Sequence, residues 1–184
     1  MAIHGVVVAG GSSKRFGRNK LVEIVNGAPL RHHAIEAATA TCDSVVVVGF
    51  DLEAASPLVT VVREDPPGSG PFAAVSAGVA QSGPAPEDVI VVLAGDLVSP
   101  SAAIPALIEA LNGSGADAAV IIDAQHRRQP LLACYRASAL LTLFASTDPA
   151  NRPAMQLLDG LDVIEVPDGA NWSRDIDTPA DLDS

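Results

Sequence analysis

Aromatic residues are scarce in this chain: 3% of 184 residues, against 48% for apolar residues as a whole. A core short of large rings must be filled by Ala, Val and Leu, which suits helices packed closely on a buried sheet. Cysteine is represented only by Cys42 and Cys134. They stand far apart, among apolar neighbours and without metal-ligand spacing, so two buried free thiols are expected and a disulfide framework is not. No run approaches the ~18 apolar residues of a membrane span. No basic flank precedes the apolar start, which leads straight into a glycine turn, so no signal peptide is read and a cytoplasmic protein is expected. Basic residues are outnumbered, 11 against 22 acidic, for a net charge of −11. Such a chain repels polyanions, which excludes broad nucleic-acid binding. The length fits a single domain over 1–184 with a full core.

What is present is an alternation of short apolar runs and helical patterns. Strands are expected at 5–9, 44–48, 59–63, 89–94, 118–122, 131–135 and 163–166. Helices are expected at 29–40, 71–81, 100–111, 137–146 and 152–158, with a short one after Thr178-Pro179. Val6-Val7-Val8 and the runs 45–48 and 89–93 are uniformly apolar, as in parallel strands covered on both faces. Pro29, Pro71 and Pro179 are read as first helical residues. The alternation argues a doubly wound α/β fold. The stretch 117–135 holds two strands with only a polar turn between them, which predicts an antiparallel insertion and a mixed, mostly parallel sheet. Ligands of such sheets sit at the carboxyl ends of the strands, so the loops at 9–20, 65–71 and 95–100 are the ones to inspect.

The first of these is unusual. Of eleven basic residues, Lys14, Arg15, Arg18 and Lys20 fall within seven positions, directly after Gly10-Gly11. Adjacent glycines let a backbone turn tightly and offer N–H groups to an anion. Arg15 can bond a triphosphate bidentately and Lys20 can act as a point charge. The Walker spacing and the dinucleotide Gly-x-Gly-x-x-Gly spacing are both missing. Taken alone, the other candidates are ordinary. Asp65 reads as a solvated turn residue, Asp96 as a turn or cap, and Asp177 or Thr178 as a helix cap before Pro179.

The run Ala9-Gly10-Gly11-x-Ser13-x-Arg15-Phe16-Gly17-x-x-Lys20 resembles the signature Leu-Ala-Gly-Gly-x-Ser-x-Arg-Met-Gly-x-x-Lys of the MobA-like NTP transferases. Three further stretches resemble the family in the same order. They are Asp65 with Gly70-Pro71-Phe72-Ala73, Ala94-Gly95-Asp96, and Asp175-Ile176-Asp177-Thr178-Pro179-Ala180-Asp181-Leu182. Departures are Val8 for Leu, Phe16 for Met, and Val48-Gly49 where some guanylyltransferases carry an Asn near the base.

The resemblance implies a three-layer α/β sandwich of the nucleotide-diphospho-sugar transferase type and a nucleotidyl transfer from an NTP to a phosphorylated small molecule. It implies nucleotide contacts from Val8, Ala9, Gly10, Gly11, Lys20, Asp65, Gly70 and Asp96. Mg²⁺ is implied on Asp96, with Asp175 preferred over Asp177 as the second carboxylate. Arg15, Lys20 and Asp96 are the implied catalytic residues. The Ala-Gly-Gly form implies GTP as donor, although the Asp-Ile-Asp form also occurs in cytidylyltransferase relatives. Arg127, Arg128 and Arg152 are candidates for holding the acceptor, Arg152 because a cation at a helix start sits badly with the dipole. Molybdopterin is the acceptor that the resemblance implies, and it leaves room for a protein partner that delivers it. A cytidylyl or sugar-1-phosphate nucleotidylyl transferase, a non-catalytic nucleotide-binding regulator and an NAD-binding protein stand as alternatives. His4, His32, His33, His126 and Trp172 are read as structural.

Overall fold

Alternate residues of the valine-rich strands point to opposite faces of the sheet, and both faces are covered. Val6, Val8, Val46, Val48, Ile90 and Val92 pack with Phe72, Val75, Val79 and Leu140 in one core. Val7, Val45, Val47, Val91 and Leu93 pack with Ala34, Ala38, Leu107 and Leu111 in the other. Small helical side chains on the second face allow the close approach that the aromatic-poor composition requires. This is the three-layer sandwich expected. The computed structural model describes residues 1–10, 16–17, 19–49, 56–176 and 178–183.

Within them the strands are β1 (Ile3–Ala9), β2 (Ile24–Val25), β3 (Ala28–Pro29), β4 (Ser44–Gly49), β5 (Val59–Val62), β6 (Val89–Ala94), β7 (Ala118–Ile122), β8 (Arg128–Arg136) and β9 (Val163–Pro167). The α-helices are α1 (Leu30–Thr39), α2 (Pro71–Ser82), α3 (Ala103–Asn112) and α4 (Ala137–Ser146). The main sheet has the order β5-β4-β1-β6-β8-β7-β9. β8 runs antiparallel to both its neighbours, β6 and β7, and every other pairing is parallel. The mixed sheet and its antiparallel insertion are therefore as read from the sequence.

Several elements differ from expectation. Pro29 ends β3 with an extended ψ of 137° and precedes α1 instead of opening it. α3 begins at Ala103, after a turn that includes Pro100. Residues 154–158 form a 3₁₀ helix, as do Pro179–Asp183. Pro153 precedes the first of these, in extended conformation. The β2–β3 hairpin was not anticipated. Its turn is Asn26-Gly27 with φ of 50° and 84°, the pair of positive values that tight hairpins need.

Strand direction decides where function can sit. The loops after β1, β5, β6 and β7, and the segment after β9, all lie at the carboxyl end of the parallel strands. A third, smaller core of Phe16, Val25, Leu30, Val98 and Ile176 ties several of them together. It joins the first loop, the hairpin, the loop after β6 and the C-terminal segment.

Candidate active site

Asp96 follows β6 directly, and its carboxylate Oδ2 lies 2.6 Å from Lys20 Nζ. The pair is mostly sequestered, with side-chain exposures of 19% for Asp96 and 14% for Lys20. Lys20 is set by the 3₁₀ turn Lys20–Val22, whose start Asn19 caps by accepting the Leu21 N–H at 3.1 Å. Two residues that the sequence placed on opposite sides of one reaction, phosphate and metal, thus meet at one point.

Asp175 arrives from the far edge of the sheet. The chain leaves β9, crosses the carboxyl end and forms an isolated antiparallel bridge between Asp175 and Leu97. The Val98 N–H donates to the Arg174 carbonyl at 3.0 Å. Asp168 holds the crossing in shape. It accepts the Trp172 N–H at 2.7 Å, the Ser173 N–H at 3.2 Å and the Ser173 hydroxyl at 2.6 Å. Trp172 packs against the core and over Gly169, as expected of a structural ring.

Asp96 and Asp175 line a common open cleft of 1220 Å³, which Arg127, Arg128 and Gln129 also line. Among the described residues no three His, Cys, Asp or Glu side chains cluster in a way that would hold a metal. Two carboxylates with oxygen donors only are nonetheless a sufficient protein share for Mg²⁺, which keeps several waters. The donor set therefore fits that ion.

The arginine-bearing turn is built on Asp123. Its Oδ1 accepts the backbone N–H groups of Gln125 and Arg127, each at 2.9 Å, and its Oδ2 accepts Arg127 Nε at 2.7 Å and Gln129 Nε2 at 3.0 Å. These bonds, the Arg127 backbone N–H foremost, hold the Asp123 carboxyl below its ordinary range. Arg128 Nε donates to Glu165 at 2.7 Å. Arg152 differs from expectation. It precedes a 3₁₀ turn and not an α-helix, and its guanidinium donates to the Asp148 carbonyl and to Gln156 Oε1. The helix-dipole argument for it therefore falls.

On the other side of β1 the loop after β5 brings Glu64 near the end of that strand, where a methyl group on Gly10 would lie 4.0 Å from Glu64 Oε1. Gly70 caps α2 with φ of 91°, and Pro71 opens that helix as expected. Asp65, expected at the base or ribose, is exposed, whereas its neighbour Glu64 is buried with 5% exposure. Val8 and Ala9 are buried at the end of β1, with Gly10 following. Gly11, Arg15 and Asp177, all expected in the site, lie outside the described residues.

Asp123, Asp168 and Glu64 were missed. Asp123 and Asp168 each end a strand ahead of a polar or glycine-bearing turn, a position where aspartate bonds to the backbone ahead of it. Of the histidines, His126 is among the residues that line the cleft. His33 Nε2 is 2.8 Å from the Val25 carbonyl, and burial pushes the Cys42 thiol up to about 12 and the Cys134 thiol higher than usual. No helix among the described residues is long and apolar enough to cross a membrane.

Lys20 of the signature, the strand-end aspartate and the crossing C-terminal segment occur together at one end of this sheet. The model of the MobA-like NTP transferase domain matches residues 5–162. The chain belongs to that family. A Bacillus cereus protein named probable molybdenum cofactor guanylyltransferase is 29% identical over 185 residues, covering 95% of this chain and 90% of its own length. The solved structure of molybdopterin-guanine dinucleotide biosynthesis protein A from Archaeoglobus fulgidus superposes with a TM-score of 0.72 at 23% identity, covering 98% of this chain and 95% of its own. A putative glucose-1-phosphate thymidylyltransferase from Bacillus anthracis superposes at 0.79 with 15% identity, covering 99% and 93%. The fold is that of the nucleotide-diphospho-sugar transferases, and the chain is a nucleotidyltransferase.

Proposed function

We propose that this enzyme transfers GMP from GTP to a phosphorylated acceptor of the molybdopterin type and releases pyrophosphate. The observation that carries the proposal is Asp96, which contacts Lys20 at 2.6 Å and lines a cleft that Arg127 and Arg128 also line. A triphosphate held by the first loop and an acceptor phosphate held by the arginines would meet there. The names of relatives such as the Bacillus cereus protein support the choice of GTP and of the acceptor.

In this reading a phosphate oxygen of the acceptor attacks the α-phosphorus in line, and the bond to the β-phosphate oxygen breaks. The attacking oxygen is already ionised, so no strong general base is needed. The protein's task is positioning and charge neutralisation. Lys20 and Arg15 neutralise the triphosphate and the departing pyrophosphate. Val8, Ala9, Gly10 and Gly11 offer backbone groups to the nucleoside, and Gly70 lets α2 begin close to it. Arg127 and Arg128 steer the acceptor phosphate, exchanging part of their bonding to Asp123 and Glu165 for it. Asp96 and Asp175, with Asp177 as the other candidate, would hold Mg²⁺, which supplies Lewis-acid neutralisation of phosphate charge.

The test is pyrophosphate release with each of four NTPs, with and without Mg²⁺ and a molybdopterin acceptor. The expected result is acceptor-dependent release that is greatest with GTP. Release without any need for an acceptor removes the transferase assignment. Preference for CTP, or for a sugar 1-phosphate as acceptor, keeps the chemistry and changes the substrates.

A further inference from the structure

Glu64 stands out once the site residues are assigned. It is a carboxylate with 5% exposure at the end of β5, and neither metal, triphosphate nor acceptor has been placed on it. Its Oε1 accepts the Gly68 N–H at 2.9 Å, which closes the turn before α2. Its Oε2 is buried and has no hydrogen-bond partner among the described residues. A buried carboxylate oxygen without a donor is costly and uncommon. Such an atom marks a place that a ligand's donor completes.

Its neighbours say which part of a ligand that is. A methyl group built on Gly10 would lie 4.0 Å from Glu64 Oε1, 3.7 Å from Gly49 Cα and 3.8 Å from the Val48 carbonyl. The carboxylate therefore sits close to Gly10, itself beside Gly49, while its Oε1 holds the Gly68 N–H. The Lys20–Asp96 pair lies past the opposite flank of β1, since β4 and β5 are on one side of β1 and β6 is on the other. The polyphosphate end and the Glu64 end of the site are thus distinct. Gly10, Gly49 and Gly68 themselves add no side chain at this end.

We propose that Glu64 Oε2 accepts hydrogen bonds from the nucleobase of the bound NTP and sets base choice. This rests on reading the first loop as the nucleoside site. Guanine presents an N1–H and an exocyclic amine side by side, a donor edge that a carboxylate accepts well. A site whose acceptor stays unpaired with the wrong base discriminates strongly. Asp65, exposed to solvent, is left to the ribose or to the solvent.

The test compares kcat/KM and equilibrium binding for GTP, ITP and CTP in the native enzyme, in Glu64→Gln and in Glu64→Ala. Glutamine can still accept the Gly68 N–H, so the turn survives, but its amide presents donors where Oε2 accepted. ITP keeps the N1–H and lacks the amine. GTP should be favoured over ITP by tenfold or more in the native enzyme, and E64Q should bring that ratio close to one while leaving affinity for inorganic triphosphate unchanged. If E64Q is folded and the GTP to ITP ratio is unchanged, Glu64 serves the turn only and the inference falls alone. Equal losses for GTP, ITP and CTP would move the carboxylate from the base to the ribose and also overturn it. Failure of the native enzyme to bind any NTP would remove the inference together with the proposed function.

Discussion

Gly10 and Gly49 face each other across the end of β1, and they tolerate a methyl group very differently. On Gly49 it would lie 2.6 Å from the Ala9 carbonyl oxygen and 2.9 Å from the Gly10 nitrogen, both backbone atoms that cannot step aside. Gly49→Ala should therefore displace the first loop, costing about 1–3 kcal/mol as other overpacked sites do, and should lower activity with it. Gly10→Ala meets nothing closer than 3.7 Å. It should leave the melting temperature nearly unchanged and act on the ligand alone, reducing the kcat/KM preference for GTP over CTP. A large fall in stability on Gly10→Ala would show that the loop itself needs the glycine. Gly49 belongs to the stretch Val47-Val48-Gly49, which departs from relatives that carry an Asn there, and at Gly49 itself the backbones of β1 and β4 leave no space for a side chain. Asp96 is the other decisive residue. Asp96→Asn keeps shape and one acceptor but removes the charge that meets Lys20. It should reduce kcat/KM by more than about 100-fold, roughly 2.7 kcal/mol of barrier, with the folded state retained by circular dichroism. Turnover within tenfold of the native enzyme would take Asp96 out of the reaction.

Among the elements, the segment that carries Asp175 has the least support of its own. It forms no helix or strand between β9 and its single bridge to Leu97, and three hydrogen bonds to Asp168 fix its turn. Asp168→Ala should lower kcat while leaving the melting temperature within a few degrees, because of the described crossing residues only Trp172 packs on either of the two large cores. A variant with native kcat would show that Asp175 is positioned without the Asp168 bonds. Arg136 makes the opposite case. Its guanidinium donates to the carbonyls of Leu111, Ser114 and Ala116, closing the end of α3 at the end of the sheet away from the site. Arg136→Ala should cost about 1–3 kcal/mol in denaturant unfolding, the scale for stranded buried acceptors, with kcat unchanged. These cases show what could be read in advance. The buried strands were legible because both faces are apolar, and α2 because Gly70-Pro71 marks its start. The β2–β3 hairpin was passed over although Asn26-Gly27 announces it, since two-residue strands carry no periodicity. Residues 152–158 carry the apolar spacing of a helix, yet only 154–158 wind, and as 3₁₀. Asp96 and Asp175 could be named from their motifs, but their shared cleft depends on where the last crossing lands, which no local pattern encodes.

At the scale of the whole molecule the sheet has two ends with different duties. The carboxyl end gathers the first loop, Asp96, the Asp123 turn and Asp175. The amino end is closed by Asp88, which accepts the Ala2 N–H at 2.6 Å and the Ala85 N–H at 2.8 Å, while His4 Nε2 lies 3.3 Å away. His4 Nδ1 in turn is 2.9 Å from Ser44 Oγ. The arrangement pins β1 between β4 and β6 at the end where no ligand is expected. The two backbone donors, Ala2 first, together with His4 hold the Asp88 carboxyl below its ordinary value of 3.8. A carboxylate that binds protons less readily when folded stabilises the fold above its unfolded value, and loses that contribution as pH falls through the folded value. Asp123 at the opposite end is lowered in the same sense. The native enzyme should therefore lose stability steeply below about pH 4, from both ends of the sheet at once. Asp88→Asn isolates one of them. The amide retains one acceptor oxygen for two backbone donors, so the variant should melt well below the native enzyme at pH 7. Its gap from the native enzyme should close as pH falls below 3.8, because protonation then takes the same charge from the native protein. Activity at neutral pH should be unaffected in the folded fraction, since Asp88 is at the end away from the cleft. Melting temperatures of both proteins from pH 7 down to pH 2.5 decide it: a gap that stays constant across that range would show that Asp88 contributes through shape and not through its charge.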